Sequence, residues 1–174
     1  AGIGWAKEGF EALGAPFEKR GARCTSYLRV IKRLWTEREA TYEDEFYSLR
    51  SSLLYPKPLQ KPHPPIHILG QSGAPIRRVA ELGDGFFPLD QSPEQMAIII
   101  RDLDAELQKR GRKLADITIT ASPYTSGCDL AKVEGYRRAG VDQVVLFQFV
   151  EDIAELEPVI EGFAKNIVRP GRAI

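Results

Sequence analysis

The chain is poor in the residues that usually reveal chemistry or location. Its 174 residues include only 2 cysteines, 2 histidines and 1 methionine. Cys24 and Cys128 sit far apart, without the spacing of metal ligands, and no metal site is expected. Cys24 falls on a helix face and reads as a small buried residue, whereas Cys128 falls in a loop. A reducing, cytoplasmic setting is the default expectation. An excess of one charge is also lacking, because 24 Lys plus Arg balance 24 Asp plus Glu. Nucleic acid and anionic membrane surfaces, which call for a basic excess, are therefore not expected partners. No apolar run approaches the roughly 18 residues that span a bilayer, and the first residues do not form a charged-then-apolar leader. The length suffices for one domain with a sizeable core.

The most informative stretch runs from Pro64 to Pro88. Ile66 to Leu69 is a short apolar run between Pro65 and Gly70, the form a buried parallel strand takes. Gly70 and Gly73 open a loop. Ser72 suits the N-cap of a following helix, and Pro75 suits its first turn, where a missing N–H costs nothing. Ile76, Val79 and Ala80 predict one apolar helix face, with Arg77, Arg78 and Glu81 on the other. Gly83 stops the helix, and Gly85 to Leu89 reads as the next strand. A helix N-terminus behind a glycine loop offers free N–H groups to a phosphate. Such a loop also serves simply to turn the chain, and the residues alone leave both readings open.

Upstream, Ala1 to Trp5 reads as the last residues of a strand, and Glu8 to Leu13 as a short helix stopped by Gly14 and Pro16. Glu18 to Thr36 has helical periodicity, with Cys24, Tyr27, Leu28, Ile31, Leu34 and Trp35 on one face. Ala40 to Leu49 reads as a small hairpin or paired loop in which Thr41-Tyr42 and Phe46-Tyr47 flank a turn, with Asp44 able to take a left-handed position. Pro56, Pro58, Pro62, Pro64 and Pro65 exclude helix and central strand, leaving an extended connector. Residues 37–65 are thus expected to be a hairpin and Pro-rich insertion within one domain spanning 1–174. A domain linker is the competing reading, disfavoured because helix and strand signals resume at once.

Downstream, Ser92, Pro93 and Gln95 form a capping box opening a helix whose buried stripe is Met96, Ile99, Ile100, Leu103 and Leu107. The single methionine reads as core filler. Ile117 to Ala121 is a β-branched strand, Ser122 to Asp129 a polar loop at its end, and Leu130 to Ala139 a helix closed by Gly140. Val144 to Phe147 reads as the last strand. Ile153, Leu156, Ile160, Phe163 and Ile167 outline a final helix, in which Pro158 requires a late start or a kink. Strand and helix thus alternate four times, the pattern of a parallel sheet with right-handed crossovers. The short apolar strands predict burial of both sheet faces. A doubly wound sheet and a (β/α)8 TIM barrel both fit. A full barrel needs eight units and about 250 residues. Four units plus a strand remnant read as its C-terminal half.

In order and spacing, these residues resemble the bacterial luciferase-like flavin-dependent oxidoreductases, which include flavin monooxygenases and deazaflavin (coenzyme F420) enzymes. The carriers are Gly2-Ile3-Gly4-Trp5, Glu8-x-Phe10-Glu11-Ala12-Leu13-Gly14, Phe17-Glu18-x-Arg20-Gly21-x-Arg23 and Leu34-Trp35-Thr36. Further on come Phe46-Tyr47, Pro56-Lys57-Pro58-Leu59-Gln60, Pro64-Pro65-Ile66, Leu69-Gly70-Gln71-Ser72, Gly83-Asp84-Gly85-Phe86 and Ala139-Gly140-Val141-Asp142. The resemblance implies a (β/α)8 barrel with a flavin across its C-terminal mouth. It also implies FMN or the deazaflavin as cofactor and a small organic substrate accepting hydride or oxygen. By the same resemblance, Gly4 and Trp5 would stand beside the cofactor, and Gly70, Gln71, Ser72 and Gly73 would hold its phosphate. Trp5 reads equally as a hydrophobe capping the barrel, and Ser122 to Thr125 match the family only loosely.

Flavin enzymes leave the redox chemistry to the cofactor, so the lack of a triad does not argue against this class. Catalytic residues stay unassigned. His63 falls in the proline connector, and His67, within a strand, reads as a hydrogen-bonded core histidine rather than a base; Asp84 and Asp90 qualify as catalytic by position, with Asp84 equally a turn former. The family's first three strands and most of the fourth have no counterpart here. The chain is then expected to be a fragment, a half-barrel closed by dimerisation, or an open sheet, with homo-oligomers favoured in the last two. A non-catalytic half-barrel serving assembly is the alternative function.

Overall fold

The structure, a computed structural model, describes residues 1–172 of the chain. It opens with α1 (Lys7–Ala12) and α2 (Arg20–Thr36), followed by an antiparallel hairpin of β1 (Ala40–Glu43) and β2 (Ser48–Ser52). An irregular connector leads to β3 (His67–Leu69), α3 (Gly73–Leu82), β4 (Gly85–Phe87), α4 (Pro93–Gln108), β5 (Thr118–Ala121), α5 (Leu130–Ala139) and β6 (Gln143–Val144). The tail is a 3-10 turn, α6 (Leu156–Phe163), a π-helical turn at Ala164–Val168 and α7 (Arg169–Gly171).

Strands β3 to β6 form one parallel sheet in sequence order. Side chains alternate across it, so Ile68, Phe86, Ile119 and Ala121 face the helices. Against them lie Val79, Ala80, Met96, Leu103 and Leu107, all fully buried. Ser92 caps α4 as expected: its hydroxyl accepts from Gln95 N–H, and the Gln95 side chain accepts from Ser92 N–H at 2.7 Å. Gly140 closes α5 in the left-handed conformation. Pro158 is tolerated because α6 starts at Leu156, which leaves it in the first turn.

The opposite sheet face corrects the expectation of double burial. Gly85 and Thr120 are buried there, but His67, Leu69, Phe87 and Thr118 are only half-buried and Gln143 is exposed. Gly85 stands opposite His67, and a Cβ on it would lie 2.4 Å from the imidazole. The sheet is an arc of four βα units covered on its helix side, the architecture of a partial barrel.

Two aspartates set the strand register by one repeated device. Asp84 N–H donates to Ile66 O at 2.9 Å, and its carboxylate accepts from Ile66 N–H at 2.8 Å. Asp142 does the same with Ile119, at 2.9 and 2.7 Å. Both stand at the N-terminal ends of their strands, away from the βα loops. Asp84 is therefore a structural pin, which corrects its candidacy as a catalytic group. His63, in the connector, is buried beneath Trp35 and lies 3.8 Å from the same carboxylate, whereas His67, expected in the core, is only half-buried.

Other expectations fail for identifiable reasons. Arg78 is buried rather than on the polar face, because Thr25 Oγ1 and Gly21 O accept from its guanidinium at 3.0 and 2.8 Å. Asp44 is not left-handed; its carboxylate instead accepts from Phe46 and Tyr47 N–H, shaping the turn with its side chain. Phe46 and Tyr47 lie in and after that turn, and the hairpin continues to Ser52. The last strand stops at Val144, since past Val145 no neighbour takes its backbone groups. Of the stripe expected on the final helix only Ile167 is buried, while Ile153 and Ile160 are exposed.

Asp84→Ala removes the acceptor for Ile66 N–H and is expected to lower unfolding free energy by about 1–3 kcal/mol. Ile98→Ala, on the exposed side of α4, should stay within about 0.5 kcal/mol. Urea unfolding of both variants checks the contrast.

Candidate functional site

The C-terminal ends of β3 and β5 carry the Gly70–Gly73 loop and the Ser122–Asp129 loop marked in the sequence. Gly70 leaves β3 at φ +122°, and a Cβ there would stand 2.7 Å from Pro75 Cγ, so only glycine fits. Gln71, Ser72, Gly73 and Ala74 are exposed. Ser72 occupies the N-cap of α3, but its hydroxyl makes no capping bond, a correction to its expected role. Among the described residues the N–H groups of Gln71 to Ala74 also make no hydrogen bond, and Pro75 has none to offer. Four free donors, one free hydroxyl and the positive end of a helix dipole converge there, the donor set of an anion site.

Arg77 adds a cation that sequence reasoning missed by leaving it on the solvent face. Its Nη1 lies 3.3 Å from where a Gly73 Cβ would be, and among the described residues it pairs with no carboxylate. The first turn of α3 also carries no acidic residue. An unopposed arginine near a helix N-terminus runs against the dipole, and that anomaly was readable in the sequence.

The first residues reach the same end. Ala1 pairs with β3 in parallel fashion: its amine donates to His67 O, and its carbonyl accepts from Leu69 N–H at 2.8 Å. Gly2 lies against Leu69, so Gly4 and Trp5 leave the sheet beside the Gly70 loop. Gly4 is left-handed, and its carbonyl accepts from Arg20 Nε at 3.1 Å. Trp5 is 88% exposed and caps nothing within the described chain.

Past β4, Asp90 is a staple. Its N–H donates to Ser122 O at 2.7 Å. Its carboxylate accepts from the Thr125 hydroxyl, Thr125 N–H at 3.1 Å, Ser126 N–H at 3.2 Å and Ser126 Oγ at 2.9 Å. Lys132 Nζ holds the same loop from α5 through Ser126 Oγ at 2.7 Å and Gly127 O at 2.9 Å. Tyr136, fully buried, donates its hydroxyl to Gln91 O at 2.7 Å, and burial pushes that phenol up to about 12. Asp90 is thus committed to loop structure, which corrects its candidacy as a catalytic group. The hydroxyl of buried Ser122 has no partner among the described residues.

Between this loop and residues 146–149 lies a cleft of about 500 Å³. Tyr124 meets Phe147 and Phe149 edge to face, with ring centroids 5.0 and 5.6 Å apart. The thiol of Cys128, at the cleft edge, is pushed up by burial and stays protonated at neutral pH. A larger cleft of about 730 Å³ opens at the other end of β5 and β6, around Asp116, Arg138 and Gln143. That end carries the register pins, so the mouth with its loops is the better candidate. No group of three or more potential metal ligands occurs among the described residues, and none of their helices is long and apolar enough to cross a membrane.

A parallel βα arc whose loops gather at its C-terminal mouth defines a partial (β/α) barrel. The chain matches the luciferase-like monooxygenases over residues 1–142 and belongs to that family. It is 32% identical over 174 aligned residues to the FMNH(2)-dependent dimethylsulfone monooxygenase of Pseudomonas putida, covering 98% of this chain and 44% of that protein. It is also 32% identical over 80 residues to the F420-dependent glucose-6-phosphate dehydrogenase of Intrasporangium calvum, covering 43% of this chain and 23% of that protein. The fold agrees with the coenzyme F420-dependent tetrahydromethanopterin reductase from Methanopyrus kandleri at a TM-score of 0.76. That match has 15% identity and covers 97% of this chain and 72% of the other. The chain spans about half the length of the curated relatives it matches.

The Thr125 hydroxyl, then the Thr125 and Ser126 donors, hold the Asp90 carboxyl below its ordinary value of 3.8. A depressed carboxylate stabilises the loop above the unfolded value, and that contribution is lost as pH falls through the folded value. Amide shifts of Thr125 and Ser126 should therefore titrate with a midpoint below 3.8. Asp90→Asn should abolish that titration, and a midpoint at or above the ordinary value would contradict the staple.

Proposed function

We propose that this chain supplies the phosphate-holding part of a flavin- or deazaflavin-dependent oxidoreductase acting on a small organic substrate. The carrying observation is the loop Gly70-Gln71-Ser72-Gly73, with its unpaired N–H groups and Arg77 beside it. A phosphate seated there takes several charge-assisted hydrogen bonds from backbone donors fixed before it arrives. Gly4 and Trp5 flank the same mouth, and the free indole face of Trp5 offers a surface for a planar ring system.

Membership of a family whose relatives are described as FMNH(2)-dependent and as F420-dependent supports this reading and leaves FMN and coenzyme F420 both as candidates. When bound, the reduced cofactor supplies the electrons for hydride or oxygen transfer. The residues of this chain anchor one end of it and shape the mouth in which it meets substrate. We take the protein to be cytoplasmic and self-associating, with half-exposed Leu69 and Phe87 on the open sheet face as the surface a second copy would cover.

Fluorescence titration of the 174-residue chain tests the anchor. FMN should bind at least about tenfold more tightly than riboflavin, which lacks the phosphate. Arg77→Ala should narrow that gap without altering riboflavin binding, and coenzyme F420 run in parallel identifies the preferred cofactor. Equal affinity for FMN and riboflavin would overturn the assignment of the loop.

A further inference from the structure

The mouth is divided by charge. At the end of β3 the loop offers N–H donors and a free guanidinium. At the ends of β5 and β6 the cleft between residues 123–128 and 146–149 is lined by no charged side chain. Its wall is aromatic: Tyr124 and Phe147 are each 40% exposed and Phe149 is 70% exposed. Three aromatic rings left in solvent at one spot cost hydrophobic free energy that burial elsewhere would recover, so such a patch marks a contact surface. Its volume, about 500 Å³, lies in the range of small-molecule sites rather than of protein interfaces.

We propose that this cleft is the subsite for the uncharged, apolar body of the substrate, with Tyr124, Phe147 and Phe149 as its recognition wall. The inference rests on the cofactor reading above, which makes this end of the sheet the place of reaction. Two to three strand spacings of ~4.8 Å separate the β5 and β6 ends from the β3 loop, roughly 10–14 Å. That gap leaves room for the reactive part of an anchored cofactor between the loop and the cleft. An ionised substrate would lose its hydration in the cleft and meet no opposite charge, so the site selects against ions. The Tyr124 hydroxyl, free of hydrogen bonds among the described residues, supplies one polar contact. Asp90 is a positioning residue, because its four bonds to Thr125 and Ser126 hold the loop on which Tyr124 is carried.

Amide NMR of the chain titrated with benzyl alcohol, sodium benzoate and benzylammonium chloride tests this. Benzyl alcohol should shift the amides of 123–128 and 146–149 saturably, and at least about fivefold more tightly than either ion. Phe149→Ala and Tyr124→Ala should each weaken it at least threefold, and the exposure of both side chains leaves the fold intact in these variants. Non-saturable shifts, shifts elsewhere, ions binding as tightly, or variants that bind unchanged would overturn the proposal. The cofactor reading is scored separately at residues 70–77 with FMN, so the failure of one is told apart from the failure of the other.

Discussion

The structure depends on one packed layer, the helix-facing side of the parallel sheet. The strands are two to four residues long, and each ladder hydrogen bond is worth only about 0.5–1.5 kcal/mol net. Burying a side chain such as Phe86, Met96, Leu103 or Leu107 contributes about 1.5–3 kcal/mol, and these four are fully buried. Packing therefore outweighs pairing. Phe86 lies opposite both Ile68 and Ile119, so one side chain ties three strands to the helix layer. The loops at the mouth are held in place because that layer is rigid.

The two ends of the sheet divide the work. At the base, Asp84 and Asp142 fasten neighbouring strands, and Arg112 donates to Val79 O, Ala80 O and Gly83 O at the end of α3. These contacts satisfy groups that a short strand or a helix C-terminus leaves open. At the mouth the polar groups fall into two sets. Asp90, Lys132 and Tyr136 spend their hydrogen bonds on shaping loops, whereas the Gly70 loop, Ser72 and Arg77 keep theirs free. The free set is the proposed anchor, and the committed set explains how the aromatic cleft keeps its form.

Much of this was legible in the sequence wherever a local rule decides the structure. The Ser92–Gln95 capping box, the Gly140 stop, the Met96–Leu107 stripe and the four strand–helix alternations depend on residues within a few positions of each other. What stayed hidden depends on partners far along the chain. Arg78 reads as polar until Gly21 and Thr25, more than 50 residues away, supply its acceptors. Val145 to Phe147 has strand composition but no neighbour past Val145. Asp84 and Asp90 look alike beside their strands, yet one stands at the base and the other at the mouth. The Gly70 loop was legible as a possible phosphate site, and Arg77 went unread because amphipathic patterning assigns a surface arginine to solvent.

The most direct test is to add FMN to the isotopically labelled chain and record which backbone amides and arginine side chains respond. If the Gly70 loop holds the phosphate, the amides of Gln71, Ser72, Gly73 and Ala74 and the guanidinium of Arg77 shift together and saturate together. Binding of FMN that leaves those groups unmoved would contradict the assignment of this loop as the cofactor anchor.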